Sequence, residues 1–306
     1  MNHSARAYDL LIVGGGVCGM TAAIYAARAN LSVCILEKEV CGGLVNWTNT
    51  VENVPSYPRI HGEELMDKCR EHVESLGVEI QEVDGVEVVD FGGRIKEVTT
   101  SEGEVYQGKA VIVATGRRPI PFPVKTDFPR VHYCSVCDGA PYKGKDVIVM
   151  GGGNSGFDES LFLLNLGVKS VHIVEVFPRC IAAASTQEKA RQSGKIKVST
   201  STKLAEVEAL PGGKGRVRLE SAINHETRVE EVDGIFCFIG QTPNTGIFQG
   251  ILDLDGGYIK TNADMETNLP GVFAAGDVIV KRYRQITTAM ADGTIAALQA
   301  ERYIRG

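Results

Sequence analysis

Two stretches of this chain follow one pattern, and that pattern admits few folds. Asp9 to Glu37 reads DLLIVGGGVCGMTAAIYAARANLSVCILE, and Asp146 to Glu175 reads DVIVMGGGNSGFDESLFLLNLGVKSVHIVE. Each holds a short apolar run, then GGGxxG, a helix-like stretch, a second apolar run and a closing glutamate. In a G-x-G-x-x-G unit the first glycine permits a tight turn and the second lets backbone approach a pyrophosphate. The third lets helix pack close on strand, while the helix N-terminus offers free N–H groups to phosphates. An acidic residue about 20 positions further on accepts hydrogen bonds from ribose hydroxyls. Glu37 and Glu175 stand at about that distance from Gly16 and Gly153. One such motif is weak evidence. Two, each between strand and helix, predict two dinucleotide-binding units, built on Gly14, Gly16, Gly19 and Glu37 and on Gly151, Gly153, Gly156 and Glu175.

Two further apolar runs end in small-residue turns, VIVATG (Val111 to Gly116) and GVFAAGD (Gly271 to Asp277), and the whole second unit lies between them. The expected fold is α/β, with two Rossmann-like three-layer (β/β/α) domains, the second inserted into the first. The first would comprise residues 1–115 and 243–306, and the second residues 118–240. The crossings would fall near Arg117–Pro123 and Gly240–Asn244, both rich in turn formers. Helical periodicity over Gly62 to Leu76 places Leu65, Cys69, Val73 and Leu76 on one face. A strand is expected at Val78–Glu82, short β segments near 86–112 and 204–236, and a helix from Thr287 to Ile304.

Composition narrows the partners. Glycine, at 35 of 306 residues, exceeds the roughly 7% of average chains, as nucleotide-binding loops require. A net charge of −6 without a basic stripe lacks the footprint of a nucleic-acid binder. The first apolar run, Leu10 to Val13, is strand-sized and no run approaches the roughly 18 residues of a membrane span. Neither a signal peptide nor a membrane anchor is expected, and the expected compartment is the cytoplasm. Of eight cysteines only Cys134 and Cys137 form a C-x-x-C. A zinc site would need a second pair or nearby histidines, so no metal is expected. Cys18, Cys34, Cys41, Cys69, Cys180 and Cys237 read as packing residues.

Taken together, GGGVCG, VENVPSYP, VIVATG, VHYCSVCDG, GGGNSG, IGQTPNT, GVFAAGD and RQITTAMADG resemble, in order and over essentially the whole chain, the low-molecular-weight thioredoxin reductases. The C-x-x-C lies in the second nucleotide domain; in glutathione-reductase-like flavoenzymes it sits near the first helix of the FAD domain. The resemblance implies FAD in the first unit, with Gly14, Gly16 and Gly19 at the pyrophosphate and Glu37 at the ribose. Asn53, Gly276, Asp277, Arg284 and Gln285 would line the flavin and its ribityl chain. Leu44 departs from the family, which usually has Gln there. A homodimer and a thioredoxin or related redoxin as partner are also implied.

The resemblance further implies that electrons pass through FAD to the Cys134–Cys137 disulfide and on to the partner. Cys137 would face the flavin, and Cys134, nearer the exposed loop, would attack the partner disulfide as a thiolate. Asp138 would manage the proton of the leaving thiolate, although Asp-Gly is also a common turn dipeptide. His132, two residues before the motif, reads as a strand or surface residue.

The donor site departs from the NADPH pattern. Relatives that use NADPH carry His-Arg-Arg after the second strand; here the stretch is Glu175-Val176-Phe177, and the downstream arginine position is Ile181. A carboxylate repels a 2′-phosphate and suits a free ribose diol, and Gly156 in place of the usual Ala points the same way. Arg179 is near but shifted. NADH is therefore favoured over NADPH, and with NADH one domain would rotate against the other. The alternative is a nicotinamide-independent enzyme, ferredoxin- or deazaflavin-linked, in which the glycines persist as turn and packing residues. A dithiol oxidase shares the same framework, and a non-catalytic redox sensor is the rival from another class.

Overall fold

The computed structural model describes residues 5–48 and 50–306. The protein is α/β, with parallel sheets at the centre of two compact units, Met1–Arg118 with Thr242–Gly306 and Pro119–Gln241. Among the described residues no helix is long and apolar enough to cross a membrane.

The first unit begins with β1 (Arg6–Val13), α1 (Val17–Arg28) and β2 (Val33–Glu37), the first copy of the repeated pattern. Then come α2 (Gly62–Ser75), β3 (Glu79–Glu82), β4 (Val86–Asp90), β5 (Lys96–Thr100) and β6 (Val105–Val113). β1 lies between β2 and β6, parallel to both, and its Leu10, Leu11 and Ile12 are fully buried. Such apolar runs suit parallel strands covered on both faces. α2 carries Glu63 and Glu64 in its first turn, where carboxylates favour the helix dipole. It buries Leu65 and Val73, with Cys69 and Leu76 packed partly against the same core, the face its periodicity predicts.

The chain leaves through β7 (Arg117–Pro119) and enters the second unit. There it forms β8 (Val131–His132), α3 (Ser135–Asp138), β9 (Asp146–Met150), α4 (Asn154–Asn165), β10 (Ser170–Val174), α5 (Ala184–Gln192) and β11 (Ile196–Ser199). β12 (Thr202–Ala209), β13 (Gly215–Ser221) and β14 (Thr227–Val232) make an antiparallel sheet, and β15 (Gly234–Cys237) joins the parallel sheet in the order β11-β10-β9-β15-β8. The period of two along each strand sorts the layers. Val147, Val149, Val171, Ile173 and Phe236 pack with Phe157 and Leu163 of α4. Their alternates Ile148, Met150, Val174 and Ile235 pack with Leu204, Val207, Val217 and Leu219 of the antiparallel sheet.

The chain returns through β16 (Gln241–Pro243) and adds β17 (Leu254–Asp255), β18 (Tyr258–Ile259), β19 (Val272–Ala274) and α6 (Ile286–Arg305) to the first unit. β19 pairs parallel with the second half of β6, beyond the residues that hold β5. α6 opens with a capping box between Gln285 and Thr288 and buries a small-residue stripe, Ala289, Gly293, Ala296, Ala297 and Ala300, the surface that packs on α1.

Candidate active site

The two glycine loops are near copies in three dimensions. Gly14 and Gly151 have φ of +108° and +107°, and a Cβ on either would strike backbone. A Cβ on Gly19 or Gly156 would run into the carbonyl oxygen of Gly14 or Gly151. Gly156 is therefore required by packing alone, so glycine rather than alanine there says nothing about the nucleotide. Gly16 and Gly153 differ: each begins its helix in ordinary extended backbone, without a side-chain cap, and a Cβ would find nothing within 4 Å. A free helix N-terminus beside open space is the cradle that a diphosphate needs.

The closing glutamates also behave alike. Glu37 accepts from Gly15 N at 2.5 Å and from Glu39 N at 2.8 Å; Glu175 accepts from Gly152 N at 2.6 Å and from Phe177 N at 2.9 Å. Each carboxylate thus ties its glycine loop to the end of its second strand. The repeat extends past the closing glutamates to a cysteine in each copy. Cys41 Sγ and Cys180 Sγ lie 2.7 and 2.6 Å from where a Cβ would project on Gly15 and Gly152. Both cysteines are unpaired, and burial raises both thiols, Cys41 to about 11. Around Glu175, Val176, Phe177 and Ile181 are 48, 67 and 80% exposed, so the surface there is apolar. Arg179 is exposed.

In the first unit the structure brings together residues distant in sequence. Asn53 Nδ2 donates to Gln285 Oε1 at 3.1 Å, across 232 positions. Arg284 donates to the carbonyls of Lys281 and Ile279 at 3.0 and 3.2 Å, and its guanidinium lies 4.3 Å from the Tyr258 ring centroid. Gly276 and Asp277 form the turn after β19. Asp277 Oδ1 and Arg284 Nε are buried without a hydrogen-bond partner, although the Lys281 ammonium stands 3.4 Å from Asp277. Leu44 lies in the short turn Gly43–Trp47. The open cradle at Gly16 and these two orphaned polar atoms fit a polar, phosphate-bearing cofactor.

In the second unit Cys134 and Cys137 form a disulfide, with Cα atoms 5.4 Å apart. Cys134 caps α3: its Sγ accepts from Cys137 N at 3.0 Å, and its carbonyl from Asp138 N at 3.1 Å. This folds Cys134 inward to 6% exposure and leaves Cys137 exposed. Cys134 is expected nearer the exposed loop; in the disulfide form Cys137 is the more exposed residue of the pair. Gly139 seats α3 on α4, because a Cβ there would meet Leu163 and Leu166 at 3.0 and 2.7 Å.

Two partners of this turn are not marked by any sequence motif. His132 is a strand residue, as expected, yet its Nδ1 lies 3.3 Å from Asp138 Oδ2 and its Nε2 2.6 Å from the Tyr142 hydroxyl. The other is Glu159 on α4. Its Oε2 and the fully buried Ser135 Oγ both lack a hydrogen-bond partner, though the two groups are close enough to interact. Burial pushes the Glu159 carboxyl up to about 7 against the opposing pull of Ser135, and Asp158 adds to the rise. The one sequence signal for it is a glutamate on the α4 stripe Gly156, Glu159, Leu163, Leu166.

The sequence pattern of the Pyridine nucleotide-disulphide oxidoreductase family matches residues 8–293. Thioredoxin reductase from Bacillus subtilis is 36% identical over 98% of this chain and 95% of its own. A 34.2 kDa protein in the rubredoxin operon of Clostridium pasteurianum is 40% identical over 97% of each chain. The crystal structure of Lactococcus lactis thioredoxin reductase superposes with a TM-score of 0.92 at 33% identity, covering 97% of this chain and 99% of that one. The chain belongs to the pyridine nucleotide-disulphide oxidoreductases, in their low-molecular-weight thioredoxin reductase branch. It is accordingly a flavoprotein oxidoreductase of the thioredoxin reductase type.

Proposed function

We propose that the protein reduces the disulfide of a thioredoxin or related redoxin through Cys134 and Cys137, with NADH as electron donor. The observation that carries this is the Cys134–Cys137 disulfide with Asp138 at its edge, in a chain whose two glycine loops each present an uncapped helix to open space. Gly14, Gly16, Gly19, Glu37, Asn53, Gly276, Asp277, Arg284 and Gln285 are the residues that would hold FAD. When bound, FAD supplies a two-electron carrier that accepts from the donor and gives to the disulfide.

The residues of the redox turn do the rest. Cys137, the exposed sulfur, is the one open to incoming electrons in the oxidised state. Cys134 must be uncovered before its thiolate attacks the partner disulfide, and C-x-x-C pairing favours the thiolate form. Cys137 then resolves the mixed disulfide. Asp138 gives the departing partner thiolate its proton.

For the donor, Gly151, Gly153, Gly156 and Glu175 would receive NADH, and the apolar surface at Val176, Phe177 and Ile181 disfavours a 2′-phosphate. A ferredoxin- or other non-nicotinamide donor is the second reading. It is favoured by the fact that packing accounts for Gly151 and Gly156, and backbone N–H groups for both Glu175 oxygens. Anaerobic bleaching of the flavin by NADH, NADPH and reduced ferredoxin, each alone, separates them. The primary reading expects rapid bleaching by NADH and slow bleaching by NADPH; bleaching by ferredoxin alone would replace it with the second.

A further inference from the structure

An aspartate that gives up a proton in each turnover must be given another before the next. His132 is placed to supply it. Its Nδ1 faces Asp138 Oδ2 at 3.3 Å and its Nε2 meets the Tyr142 hydroxyl at 2.6 Å. The ring is held edge-on to Tyr142, with centroids 5.4 Å apart, and 5.1 Å from Phe236 of β15. Its side chain is 19% exposed against 39% for Asp138, so the carboxyl opens outward and the imidazole stands behind it.

Tyr142 suits a histidine that changes charge. A phenol both donates and accepts. With its proton on Nε2, neutral His132 would donate to the tyrosine oxygen, and doubly protonated it would do the same, so that Nδ1, facing Asp138, is the nitrogen that gains and loses the proton. The imidazole therefore gains and loses a proton without leaving a buried polar atom unpaired. The charged groups acting on the histidine are Asp138, which favours the imidazolium, and Arg130 before β8, which opposes it; burial opposes it most. Asp233 and Lys145 face Tyr142.

We propose that His132 is the positioning residue and proton store of the redox site, holding at Nδ1 the proton that replaces the one Asp138 delivers to the departing thiolate. The steps balance: the Asp138 carboxyl protonates the thiolate and becomes a carboxylate. The carboxylate then takes the Nδ1 proton of the imidazolium, leaving neutral His132 to be reprotonated from water. This rests on the reading of Asp138 as proton donor, and the test keeps the two apart.

The full flavin-loaded chain, with Cys134 and Cys137 reduced, is mixed anaerobically with two disulfides. One releases an alkyl thiolate, which needs a proton to leave well; the other releases nitrothiobenzoate, which does not. The readout is the ratio of the two rates against pH. In the wild type it should titrate once, below the usual histidine range because burial opposes the imidazolium, with macroscopic behaviour that belongs to the pair. His132→Asn and His132→Gln should lower the ratio about tenfold or more on the acid side of that titration and abolish it. Asp138→Asn should lower it at least as far.

A wild-type ratio that is flat from about pH 5 to about pH 8 overturns the proposal without recourse to any variant. If Asp138→Asn lowers the ratio while both histidine variants keep the wild-type profile, His132 has no such role and the proposed function stands. If Asp138→Asn also leaves it unchanged, Asp138 is not the donor and both assignments fall. A reduced wild type that attacks neither disulfide removes the disulfide-reductase reading itself.

Discussion

Glu159, on α4 against which the redox turn packs, has one carboxyl oxygen, Oε2, buried without a hydrogen-bond partner. Its folded-state pKa, pushed up to about 7 from the 4.5 of a free glutamate, has a definite consequence for stability. The native state holds the proton more tightly than the unfolded chain, so the stabilisation is complete below the unfolded pKa. It is lost as pH rises through the folded one. The difference corresponds to roughly 3 kcal/mol. Denaturant unfolding of the wild type should weaken by about that amount between about pH 4.5 and pH 7 relative to Glu159→Gln, which carries no charge at either pH. Parallel stability curves for the two proteins would show that the carboxyl does not titrate in the folded state across this range.

At the scale of elements, what matters is where a glycine is demanded by the protein and where only a ligand would demand it. Gly16 and Gly153 start α1 and α4 in backbone that alanine adopts readily, facing open space. Alanine at either site should therefore leave the unfolding midpoint close to wild type, since nothing in the fold is displaced. Gly16→Ala should release flavin, seen as loss of the yellow chromophore on gel filtration. Gly153→Ala should keep the flavin and slow its bleaching by NADH by about tenfold or more. Unslowed bleaching would mean that the second loop is not where NADH sits.

Gly139 is the opposite case. Its φ of −75° is ordinary, but Leu163, Leu166 and the Ser135 carbonyl fill the space a methyl group would need. Gly139→Ala should cost about 1–3 kcal/mol in urea unfolding through overpacking between α3 and α4. An unchanged midpoint would show that the redox turn is free to lift off α4.

Over the whole molecule, each unit buries its own core, and each places an inert thiol within it. Cys34 is fully buried in the first and Cys237 is 2% exposed in the second, and burial raises them to about 12 and about 11. Neither should react with a thiol reagent at neutral pH until its unit opens, so labelling rates report opening free energies. Because each unit has buried clusters of its own, Cys34 and Cys237 should become reactive at different denaturant concentrations. Coincident labelling would mean that the chain opens as one cooperative body.

Much of this is legible in local spacing. A glycine turn between an apolar strand and a helix, closed by an acidic residue, is specified within about 30 residues. The α/β class and the twin nucleotide loops therefore follow from the sequence by itself, as does the α2 face. The C-x-x-C is read from spacing too, but its disulfide is implied by the family resemblance, and the structure places the two Cα atoms 5.4 Å apart. Tertiary structure decided what depends on how elements pack. β8 and α3 fold so that His132 meets Asp138, and a short turn beyond brings in Tyr142. The seating of α3 on α4 sets Glu159 beneath Ser135, and β19 followed by α6 carries Gln285 to Asn53. The inward turn of Cys134, which leaves Cys137 the more exposed of the two, is likewise a matter of capping and burial. Spacing encodes a turn because backbone sterics act over a few residues; it carries no comparable record of which side chains meet once separate elements bury their faces against one another.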